Sequence, residues 1–215
     1  MHPAELRSAL RSRRLLAIVR GLDPQAALDT VLALFAAGVD IVEVSLTTPD
    51  APAVIERARA ALGPDAALGA GTVVTAADAL LAARAGAGFA VTPGGTAAVS
   101  EARSLGLPVL AGALTPGEVT AVITAGATAV KLFPASLGGP SLLRAMRAPF
   151  PDVDFVPVGG IDIAAARDFL AAGALAVGVG SPLVGAAADT GTDAGLAERI
   201  ALFRALASET PCPTS

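Results

Sequence analysis

The sequence predicts a single (β/α)8 barrel, the TIM-barrel architecture, with an extra N-terminal helix. Three observations carry that expectation. Short β-branched runs recur eight times, each followed by a turn-like residue and an Ala/Leu-rich stretch with helical spacing. The runs lack the alternation of a half-exposed strand, so they read as parallel strands covered on both faces. Several helical stretches close on "AAG" or "ARAG", where glycine suits the left-handed residue after a helix. The competing architecture is an open doubly wound sheet. It calls for a Gly-rich loop after the first strand, and that loop reads "VRGLDPQ" here.

Taken in order, the extra helix is predicted over residues 3–12. Strand one is "LLAIVR" (15–20); Pro24 opens its helix, which closes on Ala36-Ala37-Gly38. Proline fits there because the first helical N–H needs no intrahelical partner. Strand two is "IVEVSL" (41–46), with a helix start at Pro49–Asp50. Strand three is "ALGAGTV" (67–73), with Thr75 opening a helix that closes on Ala83-Arg84-Ala85-Gly86. Strands four and five are "GFAVTP" (88–93) and "PVLAGAL" (108–114), followed by starts at Thr96 and Pro116. Strand six is "AVKLFP" (129–134), with a start at Pro140. Strand seven is "DFVPVGG" (154–160), whose helix runs from Ile163 to Ala171-Ala172-Gly173. Strand eight is "LAVGVGS" (175–181). The uncharged stretch 169–188 is broken by Gly173, Gly178, Gly180, Pro182 and Gly185. It reads as a helix end, a buried strand and a turn, not as a membrane span. One domain is expected over residues 1–208, with a frayed tail over 209–215.

Composition narrows the function. A chain of 215 residues, 53% hydrophobic and 16% charged, can build one large core. The net charge of −4 without a basic block argues against nucleic acid as a partner. So does the absence of Tyr and Trp beside only seven Phe. Cys212 is the only cysteine, so no intramolecular disulfide forms and a reducing cytoplasm fits. Arg7, Arg11, Arg13 and Arg14 precede only "LLAIV", too short a core for a signal peptide. His2 is the only histidine, which argues against a His-rich metal site and against a His-based catalytic triad.

Polar residues inside apolar strands are then the ones to question, because barrel sites lie inward at the C-terminal strand ends. Lys131 is the only lysine among 15 Lys and Arg residues. It lies in "ATAVKLFPAS" (127–136), with no other charge in the ten residues before it. Alternation sends Val130 and Leu132 outward, and Lys131 and Phe133 inward. On strand two it sends Val42, Val44 and Leu46 outward, and Glu43 and Ser45 inward. A buried Glu43–Lys131 ion pair is the plain structural account. Such a pair recovers its desolvation cost only with good geometry, and Arg is the usual residue for it. Arg stays protonated, whereas a buried Lys can lose its proton and attack a carbonyl to form an imine. The lone lysine therefore reads as that nucleophile. Glu43 is the leading general acid/base, since burial in a barrel mouth can raise a carboxyl toward neutrality.

The rim adds candidates. "VGGI" (158–161) and "VGVGS" (177–181) end strands seven and eight, where barrels often hold a phosphate with backbone N–H groups. Their glycines equally suit tight strand–helix turns. Arg20 ends strand one and can pair with an α-keto carboxylate, or make an ordinary rim ion pair. Thr72 and Pro93 end strands three and four, and can shape the pocket or simply serve the turns.

The motifs "IVEVSLTTPDA", "GAGTV", "AVTPG", "LAGALTPGE", "VKLFPAS", "FVPVGGI" and "AVGVGSPLV" occur in order across residues 15–185. In them the chain resembles the 2-keto-3-deoxy-6-phosphogluconate aldolases and the related 6-phosphogalactonate and 4-hydroxy-2-oxoglutarate aldolases. The resemblance implies a class I aldolase on a (β/α)8 barrel, commonly a homotrimer, without metal or other cofactor. Lys131 matches the Schiff-base lysine and Glu43 the general acid/base. Arg20 and Thr72 match residues at the pyruvyl carboxylate end. Gly159, Gly160, Gly180 and Ser181 match the phosphate-binding turns, and Pro93 and Phe133 fall among the substrate-binding positions. The implied partners are small: a keto-deoxy sugar acid phosphate, cleaved to pyruvate and glyceraldehyde 3-phosphate, as in the Entner–Doudoroff pathway. No membrane or nucleic acid enters.

Two departures bear on the substrate. Many gluconate-type members carry Arg four residues after the Glu. Thr47 stands there, which puts more weight on Arg20. Gluconate-type members also tend to have Thr before the Gly-Gly pair, where this chain has Val158, as galactonate-type members do. Losing that hydroxyl removes a hydrogen bond that can read the C4 configuration, so Val158 hints at galactonate acceptance or loose stereocontrol. Two other readings stay open from the residues: another lyase on this barrel, such as a decarboxylase or a pyridoxal phosphate enzyme, and a non-catalytic sensor of a phosphorylated sugar acid.

Overall fold

The structure, a computed structural model, describes residues 1–191 and 193–209. Eight parallel strands form the sheet: β1 Leu15–Val19, β2 Ile41–Ser45, β3 Ala67–Gly71, β4 Ala90–Val91, β5 Val109–Ala113, β6 Ala129–Leu132, β7 Phe155–Pro157 and β8 Val177–Val179. Their order is β7-β6-β5-β4-β3-β2-β1-β8, and the seam between β7 and β8 carries one bridge, Val158 to Gly178. This is the expected (β/α)8 barrel, nearly closed.

Helices follow the strands: α1 Pro3–Arg13 before the barrel, then α2 Pro24–Ala36, α3 Ala51–Leu62, α4 Ala76–Arg84, α5 Ala97–Ser104, α6 Pro116–Thr124, α7 Gly139–Arg147 and α8 Ile163–Ala171. Local chemistry explains their ends. Thr75 and Thr115 each make a reciprocal capping box, with Asp78 and Glu118. Asp23 and Asp162 accept from the third helical N–H of α2 and α8.

Several boundaries differ from the sequence expectation. β1 stops at Val19, so Arg20 is a loop residue and not the last of a strand. β4 is only two residues long, which leaves Pro93 beyond it. After strand eight, where a helix was expected but no start was marked, the chain forms three: α9 Ser181–Val184, α10 Ala187–Thr190 and α11 Leu196–Glu209. In α11, Ile200, Phe203 and Leu206 are buried against the core. That spacing is helical and was available in the sequence. Of the proposed tail, Glu209 belongs to α11, and residues 210–215, Cys212 included, lie outside the described residues.

Two apolar layers hold the barrel. One lies between sheet and helices and takes Val42, Val44, Val130 and Leu132. The other fills the barrel interior with Leu16, Ile41, Phe89, Leu110 and Val156, and α1 drops Leu6 and Leu10 into its lower end. Phe89 occupies the space that a side chain on Gly69 would fill. Burying such a side chain contributes roughly 1.5–3 kcal/mol. The lower end is thus packed shut, and the polar interior positions lie toward the upper one.

Arginines do structural work at helix C-termini. Arg59 donates to the carbonyls of Gly63, Pro64, Ala66, Leu68 and Gly86. Arg147 donates to Ala172 O, Arg204 to Ala37 O, and Arg199 to Leu183 O and Val184 O. A forked guanidinium spans several such carbonyls, which a point-like ammonium does not.

Candidate active site

Alternation along β2 and β6 delivers Glu43, Ser45 and Lys131 to the barrel interior, as the sequence predicts. They line a cavity of ≈ 640 Å³ at the C-terminal ends of the strands. Arg20, Thr47, Thr72, Pro93, Phe133 and Val158 line the same cavity, and Gly159, Gly160, Gly180 and Ser181 form part of its rim. Every site residue singled out from the sequence therefore meets in one place.

Lys131 is 5% exposed and Glu43 1%. No direct ion pair joins them, so the purely structural account of the two charges rests only on attraction at longer range. Lys131 Nζ instead lies 4.9 Å from the centroid of the Phe133 ring. Glu43 Oε2 has no hydrogen-bond partner among the described residues. Gly71 makes room for this carboxyl, since a Cβ there would lie 2.5 Å from Oε1. Burial pushes the Glu43 carboxyl up from its ordinary 4.5, and the nearby Lys131 charge pulls it partly back. A carboxyl raised in this way is suited to both giving and taking a proton.

A chain of hydroxyls lies beside it. Ser45 Oγ is 2.8 Å from Thr47 Oγ1 and 2.8 Å from Thr72 Oγ1. Thr72 has φ 58°, a left-handed backbone that costs a β-branched residue on the order of 1–3 kcal/mol.

Arg20 is exposed at the cavity mouth and makes no ion pair or hydrogen bond among the described residues. Its loop is pinned on both sides. Gly21 N–H donates to Thr48 Oγ1 at 3.3 Å, and Leu22 N–H donates to Asp189 Oδ1 at 2.9 Å. Across the mouth, Gly159 and Gly160 have φ 97° and 73°, conformations that favour glycine. Ala135 N–H donates to Val158 O and Ser136 N–H to Gly159 O, which ties this turn to the end of β6. Val158 packs against Gly178 on the neighbouring strand.

The sequence reading placed Ser45 inward without giving it a task, and it did not single out Ile18, Leu22 or Asp189, which also line the cavity. Ile18 shares the alternation of β1 and was legible. Asp189 was not, because only the folding of α10 back over the β1 loop brings it there. Among the described residues, no three His, Cys, Asp or Glu side chains cluster in a way that could hold a metal ion. No helix among them is long and apolar enough to cross a membrane.

Comparison with known proteins decides the family. The family model for KDPG and KHG aldolase matches residues 6–197. The chain belongs to the KDPG and KHG aldolase family. It is an aldolase, a carbon–carbon lyase. The probable 2-dehydro-3-deoxy-6-phosphogalactonate aldolase of Rhizobium meliloti is 38% identical over 173 residues, covering 80% of this chain and 82% of that one. A solved structure of native KDPGal superposes with TM-score 0.82 at 32% identity, covering 91% of this chain and 95% of that one. The KDPG aldolase of Legionella pneumophila, solved with pyruvate captured as a covalent carbinolamine intermediate, superposes with TM-score 0.80 at 28% identity and covers 98% of each chain.

Proposed function

We propose that this family member cleaves a 2-keto-3-deoxy sugar acid 6-phosphate to pyruvate and glyceraldehyde 3-phosphate through an imine on Lys131. One observation carries the reading: the only lysine of the chain is buried inside the barrel, beside a buried carboxyl with which it makes no ion pair. In its neutral form the amine attacks the C2 carbonyl carbon to give a carbinolamine; Glu43 gives its proton to the departing hydroxyl, which leaves as water, and the iminium forms with Glu43 as the carboxylate. Glu43 takes the proton of the C4 hydroxyl, the C3–C4 bond breaks, and its electron pair moves to the iminium nitrogen as an enamine. The aldehyde leaves. Glu43 returns the proton to C3, and water hydrolyses the imine to release pyruvate. The carbinolamine with pyruvate captured in the Legionella relative supports the covalent step of this reading.

The remaining residues have tasks in the same reading. Arg20 and Thr72 hold the carboxylate end, Pro93 and Phe133 wall the reacting carbons, and the turns at Gly159-Gly160 and Gly180-Ser181 take the phosphate. Thr47 and Val158 set specificity. Val158, together with the galactonate-type names of relatives, favours the 6-phosphogalactonate epimer over the gluconate one. 4-Hydroxy-2-oxoglutarate is the smaller substrate that the same chemistry would serve. The working unit in this reading is a homotrimer of single-domain barrels spanning residues 1–208.

Intact mass after incubation with pyruvate and borohydride tests the mechanism. A single reduced-pyruvate adduct is expected, absent in Lys131→Ala. Lys131→Arg is expected to lose cleavage while keeping its circular dichroism. Near-normal activity in that variant would sink the imine.

A further inference from the structure

The hydroxyls around Ser45 form a group that imine chemistry alone leaves without a task. Ser45 is buried on the inward face of β2, two residues past Glu43. Its Oγ lies 2.8 Å from both Thr47 Oγ1 and Thr72 Oγ1, and Thr47 N–H donates to it at 3.4 Å. A hydroxyl has one hydrogen to donate. Ser45 therefore cannot donate to both threonines, and with the Thr47 N–H already on one of its two lone pairs, one threonine hydroxyl donates to Ser45 and the other accepts from it. If Thr47 donates to Ser45 and Ser45 to Thr72, the hydrogen of Thr72 is left for the cavity. If the chain runs the other way, the free hydrogen sits on Thr47. Each bond polarises the next, so an anion at one end selects the direction. A carboxylate held at Thr72, as in the reading above, selects the first direction, and the left-handed backbone of Thr72 agrees with a ligand clamp at that residue.

We infer that Ser45 is a positioning residue for the keto acid's carboxylate: it joins Thr47 and Thr72 in one directional hydroxyl chain whose free hydrogen Thr72 donates to that carboxylate. This rests on the imine reading above. It goes beyond it by making Thr72's donor depend on a residue that does not itself need to touch substrate. It also gives Thr47 a part in carboxylate recognition through Ser45, at the position where a charged side chain would act directly.

The test compares two ketones in borohydride trapping at Lys131, pyruvate and acetone, the second lacking the carboxylate. Ser45→Ala is expected to slow pyruvate trapping roughly two- to tenfold, the scale of the one neutral hydrogen bond that holds the Thr72 donor in place. Acetone trapping stays unchanged, and Ser45→Thr restores the pyruvate rate. In cleavage, Ser45→Ala raises KM more than it lowers kcat. Equal losses for both ketones, or no loss for pyruvate, would overturn the role of Ser45 and leave the imine standing. No trapping of pyruvate in the unmodified protein would overturn the imine, and this inference with it. If Ser45→Ala does not fold, Thr47→Val and Thr72→Val decide, singly and together. A combined loss on pyruvate smaller than the sum of the two is expected for residues coupled through Ser45, and an additive loss overturns the coupling.

Discussion

Glu43 is where burial and charge pull in opposite directions, and burial is the larger effect. Its folded-state pKa lies above the ordinary 4.5, so the folded protein holds this proton more tightly than the unfolded chain does. At a pH below the ordinary value both states are protonated and Glu43 costs nothing. As pH rises past 4.5, the unfolded chain ionises first, and stability falls until the folded carboxyl ionises too. Glu43→Gln is neutral throughout and escapes this loss. Urea unfolding at about pH 4 and about pH 8 should therefore show the variant gaining stability over the parent at the higher pH. The same variant should lose roughly 10²–10⁴-fold in kcat. Equal stabilities at both pH values would mean that Glu43 is not held protonated by burial. At this scale the sequence was legible wherever alternation along one strand sufficed, as for Glu43 and Lys131. It was silent on which hydroxyls meet, because Ser45 reaches Thr72 only across the pairing of β2 with β3.

Among the elements, the loops at the strand ends form the rim of the cavity, and neighbours brace them. The Gly159-Gly160 turn needs two successive positive φ values and leans on Ser136 beyond β6. A Cβ on Gly160 would lie 2.9 Å from Ser136 Cβ. Gly160→Ala should therefore distort the turn and raise KM for a phosphorylated substrate, with pyruvate trapping at Lys131 unchanged. Steady-state kinetics beside trapping would check this, and a parallel loss of both would mean that the turn supports the whole site and not its phosphate end. Arginine usage makes sense at the same scale. Arg59, Arg147, Arg199 and Arg204 satisfy carbonyls at or beyond helix C-termini, where several acceptors lie within reach of one planar fork. Part of the contrast between one lysine and many arginines is physical: Arg59 and Arg199 each bridge two or more carbonyls, whereas Lys131 Nζ donates to no carbonyl among the described residues. Helix starts were readable because Pro24, Thr75, Pro116 and Ile163 fall at or beside them. The short helices α9 and α10 were not, since four residues give too little periodicity to see.

For the whole molecule, the barrel separates stability from reactivity along its axis. Leu6 and Leu10 of α1 sit with Leu16, Ile41 and Phe89 in the closed end, while the lysine, the carboxyl and the hydroxyl chain face the open one. Leu10→Ala should cost about 2–5 kcal/mol in unfolding free energy and leave kcat/KM near the parent value at a temperature where the variant is folded. Denaturant midpoints and kinetics measured together would show it, and a matching drop in kcat/KM would mean that the two ends are mechanically coupled. The sequence by itself determined the strand count, the parallel barrel, the extra first helix and the inward facing of Lys131 and Glu43. Those follow from local periodicity and from rules that bind neighbouring residues. Only the tertiary structure decided that Glu43 and Lys131 share the interior without an ion pair, that three hydroxyls at the ends of two strands form one chain, and that Asp189 returns to brace the loop of Arg20. These depend on distances between segments far apart in the chain, which the packing of the whole barrel fixes and no local pattern encodes.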